Sequence, residues 1–285
     1  MTDISMKLLN TPEFVAIIQD VRRASATLGI EFFGIGALAR NVWYVSNDLP
    51  ARGTKDIDFG VYVKNEETFE RLKRKLLDSL GYKRVPDNPF CLISPYRQIP
   101  VDLIPFGKVK YQNKQVTESK GLIEINSEGL PEVYAKGLVE TKFEDQSLKV
   151  CSIPAMVLLK LIAYDDRPEY RPKDPTDIAS IFEHYPDIEK DLIWDTYYEL
   201  YDDKKEHLEV GVMVLGCEVG KIIHTNIRLK KRVTDILEKA INSHSQLAQR
   251  MIMRPEAETV EDWQKLLAIF KDGINTSLSD IGQAQ

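Results

Sequence analysis

Residues 52–63 read RGTKDIDFGVYV, a stretch that places Asp56 and Asp58 at the start of an apolar β-strand. Side chains two residues apart in a strand point to the same face. The apolar side chains at 57, 59, 61 and 63 should therefore pack against a helix, and the two aspartates share the opposite face. Two carboxylates about 7 Å apart on one face repel each other unless a cation lies between them. Mg²⁺ suits this position because it takes one or two protein carboxylates and keeps sites for phosphate oxygens.

A third carboxylate, Asp102, lies in the apolar segment QIPVDLIPFG (98–107), where it points away from Val101 and Leu103. If this strand lies beside that of Asp58, the three aspartates converge as a two-metal phosphoryl- or nucleotidyl-transfer site requires. An isolated D-x-D is more often a solvated strand end, and a single aspartate in a strand is more often an edge residue. The metal-site prediction therefore depends on all three together.

The segment FFGIGALAR (32–40) predicts a strand, a tight turn at Gly34 and Gly36, and the start of a helix. Backbone N–H groups at a helix N-terminus bind anions, and glycines let a phosphate approach closely. Gly34 and Gly36 are therefore candidate phosphate contacts, although a tight connection alone would also explain them.

The composition is that of a globular protein: 285 residues, 43% hydrophobic and 29% charged. The formal net charge of −6 argues against a uniformly basic surface but not against a local basic groove. The three cysteines are widely spaced, without a CxxC pair, which gives no zinc signature and favours a reducing compartment. The sequence shows no secretory signal and no membrane-spanning run, so a cytoplasmic location without a membrane partner is expected.

The order of the predicted elements indicates an α+β protein. The first half alternates helix and strand signals, with FCLIS (90–94) and 98–107 forming a meander. Helical patterns take over from about residue 152, at 154–166, 175–184, 187–202, 205–222, 226–248 and 258–271. We expect a domain over 1–150 with a mixed sheet flanked by helices, then an all-helical domain over 151–285. The segment 108–145 gives no clear pattern.

The segments 32–40, 52–63 and VDLIPFG (101–107) resemble the nucleotidyltransferase fold of the DNA polymerase β superfamily, and more closely the AbiEii/MenT-type nucleotidyltransferase toxins. The Arg-x-Ser/Thr-x-Asp-Ile-Asp strand of that family is matched by Arg52, Thr54, Asp56, Ile57 and Asp58. The family also has a lysine on an apolar helix before an R-x-K-D-x-x-D segment, here Lys160 and 171–177. The resemblance covers about residues 30–185. The glycine turn departs from the family by lacking a hydroxyl, so backbone N–H groups alone would hold phosphate there.

The resemblance implies transfer of a nucleoside monophosphate from an NTP to an acceptor, in a site between the two domains. Asp56 and Asp58 would hold Mg²⁺, with Mn²⁺ as an alternative, and Asp102 would hold a second ion or act as general base. Lys160 would also be catalytic. The nucleotide-binding residues would be Gly34, Gly36, Arg40, Arg52, Thr54, Lys160, Asp174 and Asp177. The family further implies a toxin with a cognate antitoxin or a role in phage defence, and RNA, in particular tRNA, as the candidate acceptor.

Lys160 is the one charged residue in AMVLLKLIAY (155–164). Burying it is costly unless it meets an anion, such as a nucleotide phosphate, whereas an amphipathic helix would let it reach solvent. Asp174 and Asp177 have a purely structural explanation as the N-cap and an acidic first-turn residue of a helix. The resemblance suggests instead that one of them orders the site by contacting Lys160.

Basic clusters at 71–75 (RLKRK) and 228–232 (RLKKR) are most simply solvated helix faces, and they are candidate phosphate contacts if the acceptor is RNA. Two other functions fit the sequence. A small-molecule nucleotidyltransferase would have a closed pocket, whereas an RNA-modifying enzyme would have an open basic groove. A degenerate domain would bind a nucleotide or a protein without catalysis.

Overall fold

The computed structural model describes residues 11–50, 53–107, 127–143, 146–200, 206–242 and 245–282. The chain divides into two compact units, the described parts of Met1–Pro131 with Leu138–Ser152, and of Glu132–Gly137 with Ile153–Gln285. In these ranges no helix is both long enough and apolar enough to cross a membrane.

The first unit contains a mixed sheet with helices packed on it. Its strands are β1 (Glu31–Ile35), β2 (Ile57–Val63), β3 (Lys83–Val85), β4 (Asn88–Ile93), β5 (Pro100–Gly107), β6 (Leu138–Phe143) and β7 (Gln146–Cys151). Its helices are α1 (Pro12–Ala26), α2 (Gly36–Ser46) and α3 (Glu66–Leu80). The seven described strands lie in the order β3-β4-β5-β2-β1-β7-β6. The pairs β2–β5 and β1–β7 are parallel and the others antiparallel, which confirms the predicted α+β class with a mixed sheet.

Strand β2 has one fully apolar face, as its alternating pattern predicts. The side chains of Ile57, Phe59, Val61 and Val63 are at most 1% exposed. Helix α3 follows directly, because the Asn65 side chain accepts a hydrogen bond from the Thr68 amide and so caps the helix. The predicted meander is also present, since β3, β4 and β5 pair consecutively and antiparallel.

The second unit is helical, as predicted for the C-terminal region. Its helices are most of α4 (Leu130–Lys136), then α5 (Ile153–Asp166), α6 (Asp174–Ile188), α7 (Lys190–Thr196), α8 (His207–Ile223), α9 (Ile227–Ile241), α10 (Gln246–Met251) and α11 (Val260–Gly282), with a 3₁₀ turn at Tyr198–Leu200. The single helix predicted over 226–248 is wrong. The hydroxyl of Ser245 accepts a hydrogen bond from the Ala248 amide and starts a new helix, α10.

Helices α8 and α11 approach each other through glycines. A Cβ on Gly216 of α8 would collide with the carbonyl oxygen of Phe270 in α11, and one on Gly273 would collide with the carbonyl oxygen of Met213. The absence of side chains at these two positions therefore lets the two backbones touch, and this contact fixes α11 in the core of the unit.

Candidate functional site

Asp58 and Asp102 lie directly opposite each other on the parallel strands β2 and β5. Adjacent strands are about 4.8 Å apart, and paired residues of a parallel ladder project to the same face. Their apolar neighbours, such as Ile57 and Val101, are completely buried on the other face, whereas both aspartates are partly exposed. The sheet therefore places these two carboxylates side by side.

Gly36 makes room for one of these carboxylates. It is the first residue of α2 and has a left-handed φ of 58°. A Cβ at this position would collide with Oδ2 of Asp58. Gly36 is thus required both by the backbone conformation and by the position of the Asp58 side chain.

Gly34 has a different role. A Cβ on Gly34 would lie 2.8 Å from Cδ2 of Leu38 and 3.2 Å from Cγ1 of Val150. This glycine therefore lets the first turn of α2 pack onto the neighbouring strands. Its role as a phosphate contact remains a prediction.

Asp56 lies just before β2, which begins at Ile57 rather than at Asp56. Its side chain is exposed, and its Oδ1 accepts a hydrogen bond of 2.8 Å from the Thr54 hydroxyl. Arg52 lies outside the described residues. Within the described ranges, no group of three or more His, Cys, Asp or Glu side chains is arranged to hold a metal ion. The geometry thus brings Asp58 and Asp102 together, and convergence of Asp56 with them remains a prediction.

Cys91 is a neighbour of the carboxylate pair that the sequence analysis did not identify. Cys91 is the register partner of Asp102 in strand β4, which pairs with the edge of β5 that faces away from β2. Burial and a hydrogen bond with Asp102 raise the pKa of the Cys91 thiol to about 12. At neutral pH the thiol is therefore protonated and can donate to the Asp102 carboxylate. The register of the β4–β5 hairpin is the signal that would have revealed this contact.

Arg40 is buried in α2, with 6% of its surface exposed. Its Nη2 donates to Oδ1 of Asn41 at 3.2 Å, and its guanidinium carbon lies 5.7 Å from the ring centroid of Tyr44. These contacts fix the guanidinium within the first unit, and its predicted contact with a nucleotide is untested.

Lys160, in α5, binds two aspartates at the start of α6. Its Nζ lies 2.8 Å from Oδ1 of Asp174 and 2.8 Å from Oδ2 of Asp177. The three side chains are only 15%, 9% and 14% exposed. A lysine that reaches solvent, one of the two interpretations of the sequence, therefore does not describe this residue. The suggested contact of Lys160 with Asp174 or Asp177 is present, and it involves both.

The capping explanation for Asp174 is wrong, since the N-cap of α6 is Lys173 and makes no side-chain capping hydrogen bond. Asp177 does lie in the first turn of α6, as predicted, and both carboxylates bind the lysine. Burial alone would lower the pKa of Lys160, but the two carboxylates outweigh it and raise that pKa. Oδ2 of Asp174 is buried and has no hydrogen-bond partner among the described residues. The cluster is thus a charged ammonium held by two anions, with one acceptor atom left over.

The in-register carboxylates, the helix opened by Gly36 and the lysine–aspartate cluster are the features expected of a nucleotidyltransferase. The family model described as the nucleotidyl transferase AbiEii toxin of type IV toxin–antitoxin systems matches residues 37–273. The chain therefore belongs to the AbiEii nucleotidyl transferase toxin family. The matched range begins just after Gly36 and includes the aspartates and Lys160.

Among solved structures, the chain is similar to an antigenic nucleotidyltransferase-like protein from Paracoccidioides brasiliensis. The two chains are 13% identical, with a TM-score of 0.41, over 78% of this chain and 93% of the other. No curated protein matches the chain in sequence.

Proposed function

We propose that this protein is a divalent-metal-dependent nucleotidyltransferase toxin that transfers a nucleoside monophosphate from an NTP to RNA, with tRNA as the first candidate. A hydroxyl oxygen of the RNA forms a bond to the α-phosphorus of the NTP. The bond from that phosphorus to the bridging β-phosphate oxygen breaks, and pyrophosphate leaves. The observation that carries the proposal is the direct pairing of Asp58 with Asp102.

The donor set fits a divalent ion. Two carboxylates project from rigid neighbouring strands, and Gly36 leaves the space that the Asp58 carboxylate occupies. Mg²⁺ and Mn²⁺ both prefer such oxygen ligands, and Mg²⁺ typically binds one or two carboxylates together with substrate phosphates. When bound, the ion neutralises charge on the triphosphate and orients it. Asp56, directly before the first residue of β2, is a further carboxylate that could bind the ion.

The residues of the chain have separate tasks in this proposal. Asp102 holds a second ion or accepts the proton of the attacking hydroxyl. The N-terminus of α2, which has no side-chain cap, would bind phosphate through its backbone N–H groups once the ion neutralises the Asp58 carboxylate beside Gly36. Lys160 uses two of its three N–H donors on Asp174 and Asp177, and the third binds a phosphate oxygen.

The type IV family supports a toxin that acts alongside a cognate antitoxin. Capping an essential RNA with an extra nucleotide would account for toxicity. The test is incubation of the protein with each of the four NTPs, labelled at the α-phosphate, together with Mg²⁺ and total RNA. At least one label should become covalently attached to RNA, and chelation of the metal should prevent this. If no NTP labels RNA with either Mg²⁺ or Mn²⁺, the proposed function is wrong.

A further inference from the structure

We propose that the loop RPEYRPK (167–173), between α5 and α6, binds the single-stranded part of the RNA acceptor by stacking a base on Tyr170. This inference rests on the proposed function, because it takes the acceptor to be RNA. Unlike the basic clusters at 71–75 and 228–232, this loop combines cations with an aromatic residue.

Tyr170 presents an aromatic ring to solvent from an ordered backbone. The residue is 73% exposed. Its amide donates to the carbonyl of Arg167 at 3.0 Å, and the Asp174 amide donates to the carbonyl of Arg171 at 3.1 Å. Two successive turns therefore order the backbone that carries the ring. A base that stacks on the ring would require little further ordering of this backbone.

The loop also carries three cationic side chains that have no partner in the part of the chain that the structure describes. Within the described residues, the side chains of Arg167, Arg171 and Lys173 make no hydrogen bond or ion pair. Glu169 is the one acidic residue of the loop. A protein of net charge −6 thus displays a local excess of positive charge around an exposed aromatic ring.

Three cations of the two basic clusters already have protein partners. Lys73, in the first cluster, is buried and donates to the carbonyl of Pro89 at 3.0 Å. In the second cluster, Arg232 binds Asp165 and Asp166, and Lys231 binds Asp235. The other cations of the two clusters make no hydrogen bond or ion pair within the described residues, as in the loop, so what distinguishes the loop 167–173 is the exposed aromatic ring of Tyr170 among its cations.

An exposed aromatic ring flanked by Arg and Lys fits single-stranded RNA, whose unpaired bases stack on aromatic side chains while the phosphates meet the cations. A duplex offers no free base face, so it would use only the charges. An acidic protein partner would use the charges as well and would not need a flat aromatic surface. The combination of ring and cations therefore favours a single-stranded acceptor end.

The experiment measures the affinity of the full chain for a fluorescent single-stranded RNA of about 12 nucleotides, long enough to span a typical binding site. Tyr170→Ala should weaken binding by about 5- to 150-fold, the range for loss of one stacked base, whereas Tyr170→Phe should bind like wild type. Tyr198→Ala is the matched control, because Tyr198 is 62% exposed but has no Arg or Lys within five residues in the sequence, and it should have no effect. Arg171→Ala should reduce the salt dependence of binding by about one phosphate contact.

Two other results would overturn the inference. If the wild type transfers nucleotide to RNA and Tyr170→Ala binds and modifies that RNA equally well, the loop is not the contact surface, although the proposed function stands. If the wild type binds no RNA, the acceptor class itself is wrong and the inference falls with it. NTP binding by Tyr170→Ala should equal that of wild type, which separates an acceptor defect from a nucleotide defect.

Discussion

Asp58 and Asp102 are register partners on parallel strands, and the Asp58 carboxylate occupies the space beside Gly36 where a side chain would otherwise lie. The sheet thus holds two like charges next to each other, and a glycine keeps one of them in place. Such an arrangement is unfavourable without a cation and favourable with one. The paired carboxylates thus lower the stability of the metal-free protein and favour ion binding, and the predictions that concern the site follow from this.

Gly36→Ala should abolish nucleotide transfer, because the new Cβ displaces the Asp58 carboxylate. The left-handed backbone adds a penalty of about 1–2 kcal/mol to the free energy of folding. Gly29→Ala is the matched control: Gly29 has φ 62° and nothing within 4 Å of its would-be Cβ. This control should lose similar stability in chemical denaturation yet keep its transfer activity. Equal activity in the two variants would show that Asp58 does not need the space beside Gly36.

Lys160→Ala should lose both stability and NTP binding. Removing the ammonium leaves Asp174 and Asp177 buried without their cation, which typically destabilises a protein by about 3–5 kcal/mol. The double variant Lys160→Ala/Asp174→Asn removes one of the two stranded charges and should recover part of the stability without recovering NTP binding. Urea denaturation and calorimetric titration with NTP measure the two effects. NTP affinity that recovers together with stability would make Lys160 a structural residue only.

Glu189 should make the stability of the protein depend on pH. Burial, with Glu218 and Asp191 nearby, raises the pKa of Glu189 from 4.5 to about 7. The native state therefore holds a proton that the unfolded chain has released, so stability should fall as the pH rises from 4.5 to about 7. Glu189→Gln should remove this fall and stabilise the protein by about 1–2 kcal/mol near pH 8, once solvent screening is allowed for. Thermal melting against pH tests this, with the exposed Glu256→Gln as control; parallel curves for all three proteins would contradict it.

Gly216→Ala should destabilise the helical unit by about 1–3 kcal/mol or more, because the obstructing atoms of Phe270 and Gly273 belong to backbone and cannot rotate away. Gly53→Ala meets nothing within 4 Å and should leave stability nearly unchanged. Chemical denaturation of the two variants measures the difference. A Gly216→Ala protein as stable as wild type would show that α8 and α11 do not pack this closely.

The sequence was enough to predict which side chains of β2 and β5 share a face, because side chains alternate between the two faces along a strand. An alternation of apolar and acidic residues over a few positions is enough to assign Asp58 and Asp102 to their faces. The pairing of these two strands was conditional in the sequence analysis, since nothing local selects a neighbour. The contact of Cys91 with Asp102 depends on the register of a hairpin, and it was missed for the same reason.

In the helical unit, the predictions from sequence that were wrong had a different cause. The capping pattern at Asp174 is typical of a helix start, but the buried lysine of α5 competes for the carboxylate, and a buried charge gains more from that partner than a helix terminus does. The break between α9 and α10 depends on a single capping serine within an otherwise continuous helical pattern. In both cases a specific polar contact decides the outcome, and hydrophobic periodicity carries no information about it.

The most direct test of the account is a paired measurement on Asp58→Asn, which keeps the size of the side chain and removes its charge. Without metal, the variant should melt at the same temperature as wild type or higher, because the repulsion between Asp58 and Asp102 is relieved. With Mg²⁺, NTP and RNA, its rate of nucleotide transfer should fall by about 10²–10³ or more, the range for loss of one charge-stabilising group. If wild type and Asp58→Asn transfer nucleotide equally well, the two carboxylates are not the catalytic pair and the account is wrong.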